Sequence, residues 1–260
     1  MGSCSIPPLD GRQHRDFQKM DTPLMTKLIR VVDFETTGFP PRADVVEIGV
    51  TDIHVETDHA TVVPGWSSIC QPDREIQHSA MGVHHITPSM VENTPHHKDA
   101  LARIADPRAH YYVAHHAKFE AAFFSLPRPW VCSMKLARKV WPNAPDHKAQ
   151  TLRYWLNVDG DYNFDINLAS PPHRAGPDSY ITAFIFRRLL ISYGFNVMQM
   201  MRDQQQSQLL TTISFGRHKG QPWSEVPSDY LKWILNNPQA EDDVKFTAQF
   251  YLDKRRGVVQ

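Results

Sequence analysis

The segment LIRVVDFETTG, residues 28–38, places two carboxylates, Asp33 and Glu35, inside an apolar run of strand type. Residues i and i+2 of a strand share a face, so the two acids project together. Ionised carboxylates side by side repel one another and lose hydration, and a divalent cation between them removes both penalties. Edge-strand acids facing water would account for either one alone, but the flanking Val31, Val32 and Phe34 describe a central strand. Two further stretches add to the set. VAHHAKFEAAFF puts His115 and Glu120 just beyond an apolar strand, where α/β proteins usually keep their chemistry. HRAGPDSYITAF puts His173 in a loop and Asp178 at a helix start, three residues before Ile181 and so beside the buried stripe. Taken singly, Asp178 reads as a first-turn acid answering the helix dipole, and His173 as an ordinary loop histidine. Taken together, Asp33, Glu35, Glu120 and Asp178 make a four-carboxylate set suited to two hard cations with oxygen ligands, Mg²⁺ or Mn²⁺.

The elements that must position these groups read as α/β. Leu28–Phe34 is a strand, and DVVEIGVTDIHV and ATVVPGWSSICQ form a second and third, with ETDH as a hairpin connection. Thr87 and Pro88 open a short helix as N-cap and first helical residue. KDALARIA is a second short helix. YYVAHHA and WVCSMKLARKVWP are strand-to-helix units, the latter stopped by Pro142. AQTLRYWLNV is helical. DSYITAFIFRRLLISYG is the clearest helix, with Ile181, Phe184, Ile185 and Leu189 on one face and Gly194 near its end. Antiparallel strands followed by strand–helix alternation predict a mixed sheet flanked by helices. The glutamine-rich RDQQQSQ reads as part of a linker over residues 196–208, ahead of a small C-terminal module over 209–260.

Composition bounds the rest. At 260 residues the chain can bury one large core plus an appendage, and 41% hydrophobic with 22% charged residues is ordinary for a globular protein. The formal net charge of zero gives no global basic field, which weighs mildly against nucleic acid, although local patches and bound metal can supply positive charge. Cys4, Cys70 and Cys132 form no C-x-x-C pair, so neither disulfides nor a cysteine zinc site is expected, and a cytoplasmic location follows. No apolar run is long enough to span a membrane. Residues 1–27 lack the apolar core of a signal peptide and read as a loosely ordered extension.

The order D-x-E-T-T-G from Asp33, H-x-x-x-F-acid from His115 and H-x-x-x-x-D from His173 resembles the DEDDh exonucleases. This is the DnaQ-like family of the proofreading subunit of bacterial DNA polymerase III. The resemblance runs from about Leu28 to Gly194, through VEIG, VHHITPSMV, CSMKLARKVWP and HRA. The tail TTISFGRHKGQPWSEVPSDYLKWILNN is similar to that of the exodeoxyribonuclease X group. The resemblance implies a ribonuclease H-like fold, a mixed five-stranded sheet flanked by helices, over residues 28–195. It also implies a metal-dependent 3′–5′ exodeoxyribonuclease that releases 5′-mononucleotides. Asp33, Glu35, Glu120 and Asp178 would hold two metals, with His173 as general base. Thr36 and Thr37 fall where the family contacts the terminal nucleotide, and His84 matches a recurring histidine after the third strand.

Two positions depart from the family pattern. The second motif usually reads H-N-x-x-F-D, and here His116 replaces the amide and Glu120 the aspartate. The extra methylene moves the carboxylate by on the order of 1 Å, and misplacement of that size can cost ~10²-fold in rate. An exoribonuclease and a catalytically weakened module that binds nucleic-acid ends therefore stand as alternatives. DNA 3′ ends, single-stranded or duplex, are the expected partner, with RNA possible.

Substrate contacts beyond the motifs are expected from three groups. Phe39, Phe123 or Phe124 could stack on terminal bases, although aromatics so placed are commonly core. Lys135, Arg138 and Lys139 share a helix face and could grip phosphates or simply form a solvated basic face. The FGRHKG turn could present Arg217, His218 and Lys219 to DNA, with Phe215, Trp223, Tyr230 and Trp233 around it, or these aromatics could simply be a small core. The histidine pairs His84–His85 and His96–His97 are expected to diverge, without a metal between them.

Overall fold

The computed structural model describes residues 27–125 and 128–259. The expected N-terminal extension lies outside the described residues apart from Lys27. Strands β1 (Lys27–Thr36), β2 (Val45–Val55) and β3 (Ala60–Ile69) form an antiparallel meander. The short helices α1 (His78–His84), α2 (Pro88–Val91) and α3 (His97–Ala102) follow. Next come β4 (Ala109–Ala114), α4 (Ala117–Glu120), β5 (Trp130–Cys132), α5 (Ser133–Val140) and α6 (Ala149–Trp155). Helices α7 (Ala175–Ser192), α8 (Val197–Gln205), α9 (Ser228–Asn236) and α10 (Asp242–Arg255) complete the chain. The sheet order is β3-β2-β1-β4-β5, with β4 parallel to both β1 and β5. This is the mixed five-stranded sheet with flanking helices that the sequence implies.

Because side chains alternate across a strand, β1 feeds two cores at once. Ile29 and Val31 pack with Val113 of β4 and with Ile181, Phe184 and Ile185 of α7. Leu28, Val32 and Phe34 pack on the opposite face with Leu101 and Ile104. Asp33 and Glu35 continue the Ile29–Val31 face, so the side that is greasy core at one end of β1 becomes acidic at the other. A register irregularity between Glu35 and Thr36 ends regular pairing with β2 at that point.

Helix α7 must lie almost in contact with the sheet for Asp178 to reach those acids. Gly49 of β2 permits it, since a Cβ there would fall 1.9 Å from the Ala175 carbonyl oxygen. The helix ends with Gly194 at φ 53° and with the Phe195 N–H donating to the Leu190 carbonyl, a left-handed C-terminal cap.

Residues 196–208 are not the solvated linker that their composition suggests. They carry α8, whose Val197 and Met200 are buried in the α7 core. The glutamines are spent on backbone groups that would otherwise lack partners. Gln204 accepts from the Cys132 N–H (2.8 Å) and donates to the Trp130 carbonyl (3.1 Å), so its amide completes the exposed edge of β5. Gln208 donates to the Lys135 carbonyl at 2.8 Å. Polar composition signals solvent only when the amides have nothing to bond.

The C-terminal module has its own core of Ile213, Trp223, Val226, Leu231, Ile234, Val244 and Leu252. Its acids dock it onto α5. Asp243 lies 3.4 Å from Lys135 and 3.9 Å from Arg138, and Glu241 lies 3.3 Å from His116. Lys139 pairs with Asp203 at 2.9 Å. The basic face expected to grip phosphates or meet water is instead neutralised within the protein. His116, the departure from the family amide, finds its partner in the module.

Candidate active site

Ligand atoms of Asp33, Glu35 and Asp178 lie within 4.8 Å of one another, so the structure brings together three acids drawn from a strand and a helix. Glu120 stands outside that triplet but close enough to act on Asp33 by charge. It is 4% exposed, and its Oε2 has no hydrogen-bond partner among the described residues. An orphaned, buried carboxylate oxygen next to an acid cluster is the donor set a hard cation requires.

The electrostatics agree. Burial, then the charges of Asp178, Glu35, Glu120 and Glu47, push the Asp33 carboxyl well above the usual carboxylate range. Burial followed by Asp178 and Glu47 lifts Glu35 to about 8, with Arg174 opposing. Burial lifts Glu120 to about 8. Burial also raises Asp178, against hydrogen bonds from Gln150 and His173 that favour its charged form. In short, the protein has more negative charge here than it can solvate.

Asp178 combines its two sequence readings. It sits in the first turn of α7, where acids favour the helix dipole, and it also pins the preceding loop. Its Oδ2 accepts from the His173 N–H and its Oδ1 from Gln150 Nε2, both at 2.8 Å. His173 is exposed, on the loop, with φ 58°.

Glu47 of β2 is a site residue that the sequence reading missed. It is 2% exposed, stands opposite Glu35 in the strand register, and binds Arg174 through two bonds of 2.8 and 2.7 Å. Its Oε2 also accepts from the Ala175 N–H at 3.0 Å, satisfying an orphan donor at the start of α7. One buried acid thus fixes the residue after His173 and the helix that carries Asp178. The available signal was an acid inside VVEIGV, a strand otherwise apolar, as in β1.

The other expected site residues lie around this centre with their side chains engaged. Thr36 donates to the Gly38 carbonyl at 2.7 Å, and Thr37 Oγ1 accepts from the Asp44 N–H at 2.9 Å. Both shape the turn after β1. His84 is buried, with Nδ1 accepting from the Ile86 N–H (2.9 Å) and Nε2 facing the Thr36 carbonyl (3.2 Å). Nε2 therefore carries the proton, and burial lowers the ring's proton affinity. Phe123 is half-buried, edge-on to Phe34 and Phe119. The ring left open is Phe39, 81% exposed, on the turn that Thr36 and Thr37 shape. His115 is not turned to the acids. It bonds Ser133 Oγ and the His147 carbonyl, and burial pushes it down to about 4. The His96 and His97 rings, expected to diverge, converge on Asp73, where Lys98 Nζ also sits at 3.1 Å.

The sequence profile of the exonuclease family matches residues 31–186, a span holding every one of these acids. The chain belongs to the exonuclease family. It is a nuclease, a phosphodiester hydrolase. It is 32% identical to exodeoxyribonuclease 10 of Escherichia coli strain K12 over 235 residues, covering 87% of this chain and 99% of that protein. The structure of exonuclease X in complex with 5′ overhanging duplex DNA superposes with a TM-score of 0.56 at 30% identity, covering 68% of this chain and 99% of that one. E. coli exonuclease I in complex with a dA16 oligonucleotide shares the fold, with a TM-score of 0.51 at 14% identity, over 83% of this chain and 60% of that one.

Proposed function

We propose that this exonuclease removes 5′-mononucleotides from DNA 3′ ends. In this reading Asp33, Glu35, Glu120 and Asp178 hold divalent cations, Mg²⁺ or Mn²⁺, and His173 is the general base. The convergence of the Asp33–Glu35–Asp178 triplet beside the orphaned Glu120 oxygen carries the proposal. Similarity to an exodeoxyribonuclease along nearly its whole length favours DNA.

When bound, the cations would neutralise the scissile phosphate and make water a stronger nucleophile at neutral pH. The chain itself does the positioning. Asp178 fixes the His173 backbone, leaving the imidazole on an exposed loop beside the acids to accept the proton of the attacking water. That water's oxygen forms the new bond to phosphorus as the bond to the 3′ oxygen of the preceding nucleotide breaks. The turn after β1 offers Phe39 to the terminal base. Stacking of this kind is worth about 1–3 kcal/mol, so Phe39→Ala is expected to raise KM by roughly 5-fold or more with kcat largely kept. Steady-state kinetics on a single-stranded oligonucleotide checks this.

One observation favours a second reading, a binding module with impaired catalysis: Glu120 replaces the family aspartate and lies outside the triplet. A single gel assay separates the two. The protein is incubated with 5′-labelled single-stranded DNA and matching RNA, with Mg²⁺, Mn²⁺ or EDTA, beside Glu120→Asp. The expected result is a metal-dependent ladder receding from the 3′ end, faster on DNA, with Glu120→Asp within ~10²-fold of the parent. A parent inert in both metals and revived by Glu120→Asp would establish the binding module. A faster RNA ladder would reassign the substrate.

A further inference from the structure

The C-terminal module has two chemically different ends. Its acids Glu241 and Asp243 face the catalytic body. Away from them, the chain between Ile213 and Gln221 closes a tight loop through the Ile213 N–H to Gln221 carbonyl and Gly220 N–H to Ile213 carbonyl bonds. The loop is pressed against α9 so closely that a Cβ on Gly216 would fall 2.2 Å from Tyr230 Oη. This geometry presents Arg217, His218 and Lys219 in a row.

Behind them stands an aromatic ladder. The Arg217 guanidinium lies over the Tyr230 ring, 5.1 Å from its centroid, and Tyr230 stacks on Trp233 at 5.1 Å and 28°. Trp233 is 52% exposed, although its neighbours Leu231 and Ile234 are fully buried in the module core. His218 Nδ1 bonds Gln221 and its Nε2 accepts from Arg217 Nε at 3.1 Å, so the guanidinium is held in place. Asp229, 3.8 Å from Arg217, is itself exposed, and so loose a surface pair is readily exchanged for a phosphate. Lys219 is exposed and pairs with no carboxylate among the described residues.

We infer that this face is a second DNA site, which holds single-stranded DNA by stacking a base on Trp233 and contacting the backbone through Arg217 and Lys219. Positive groups beside an open aromatic face match the two features of an unpaired strand, phosphates and free base planes. A duplex offers no free base plane to stack. The site also adjoins the catalytic body. Phe215, the residue before the loop glycine, lines a cleft of about 570 Å³ together with His116, His147 and Lys148. The consequence is retention of substrate between cleavage events.

This inference rests on the reading of the chain as a nuclease acting on DNA, but its test does not require turnover. Binding of a labelled oligothymidine of about 30 nucleotides to the full chain is followed by fluorescence anisotropy in EDTA. Trp233→Ala is expected to weaken binding by roughly 5-fold or more. The double variant Arg217→Ala/Lys219→Ala is expected to reduce the slope of log affinity against log salt by about 2. Trp155→Ala, another exposed tryptophan, serves as control and leaves affinity unchanged. With Mg²⁺ or Mn²⁺, hydrolysis of a trinucleotide is unchanged in Trp233→Ala, while long strands are released after fewer cleavages. Affinity and salt slope equal to the parent's in both variants would overturn the proposal. So would a parent dimer that Trp233→Ala dissolves without loss of DNA affinity, because the face would then join two copies of the chain. A protein that binds as described but cleaves nothing would instead remove the nuclease assignment and leave this site standing.

Discussion

Asp33→Asn is expected to lower hydrolysis by on the order of 10³-fold while raising the melting temperature of the metal-free protein. The two effects have one cause. Asp33 lies among Asp178, Glu35, Glu120 and Glu47, and its carboxyl is pushed well above the ordinary range by burial and then by those charges. Folding without metal therefore forces carboxylates together that the unfolded chain keeps apart and hydrated. The same crowding gives a cation its binding energy, so removing one acid stabilises the empty fold and weakens the site.

The pH dependence follows from linkage. A carboxyl whose folded pKa is raised binds more protons in the native state than in the unfolded chain. Stability of the metal-free protein then falls as pH rises from the ordinary carboxylate range, ~4.3, toward the value of about 8 that Glu35 and Glu120 reach. The gain in melting temperature from Asp33→Asn should accordingly grow across that interval. His115, held down to about 4, pulls the other way in acid, since it must take up a proton on unfolding. Measuring the variant against the parent at each pH cancels that contribution. Each kcal/mol gained should appear as roughly 2–4 °C for a chain of this size. Mn²⁺ should raise the parent's melting temperature more than the variant's. A variant that melts below the parent at pH 8 in EDTA would refute this account of the cluster.

Glu47→Ala is the second large effect expected, and it acts through position. Glu47 holds Arg174 through two hydrogen bonds and caps α7 at the Ala175 N–H. Truncation leaves a guanidinium and a helix N–H without their acceptor. Breaking a buried pair costs about 3–5 kcal/mol, and because Arg174 is partly exposed about 2–4 kcal/mol is the better expectation. The loop that carries His173 would lose its anchor, so kcat should fall by at least ~10²-fold with KM changed little. Glu47→Gln separates stability from catalysis, because it keeps an oxygen for Ala175 but turns an amide N–H₂ toward Arg174. It should fold close to the parent and still lose activity. Chemical denaturation and the pH–rate profile of the two variants check this. A purely structural role would leave the profile of the folded fraction unmoved.

What the sequence by itself determined was everything that repeats with the period of one element. The alternation in LIRVVDFETTG placed Asp33 and Glu35 on one face, and both lie on the face that packs against α7. The stripe through Ile181, Phe184 and Leu189 identified α7, and the strand–helix alternation implied the mixed sheet. What only the tertiary structure decided were meetings between elements distant in the chain. Glu47 reads as one acid in a strand until Gly49 admits the start of α7 and brings Arg174 to it. RDQQQSQ reads as linker until Gln204 finds the open edge of β5. Lys135, Arg138 and Lys139 read as a phosphate grip or a bare basic face until Asp243 and Asp203 arrive. Local pattern records which way a side chain points because backbone geometry is periodic. It does not record what waits there, because a hydrogen bond or ion pair across the fold leaves no period in either partner's sequence.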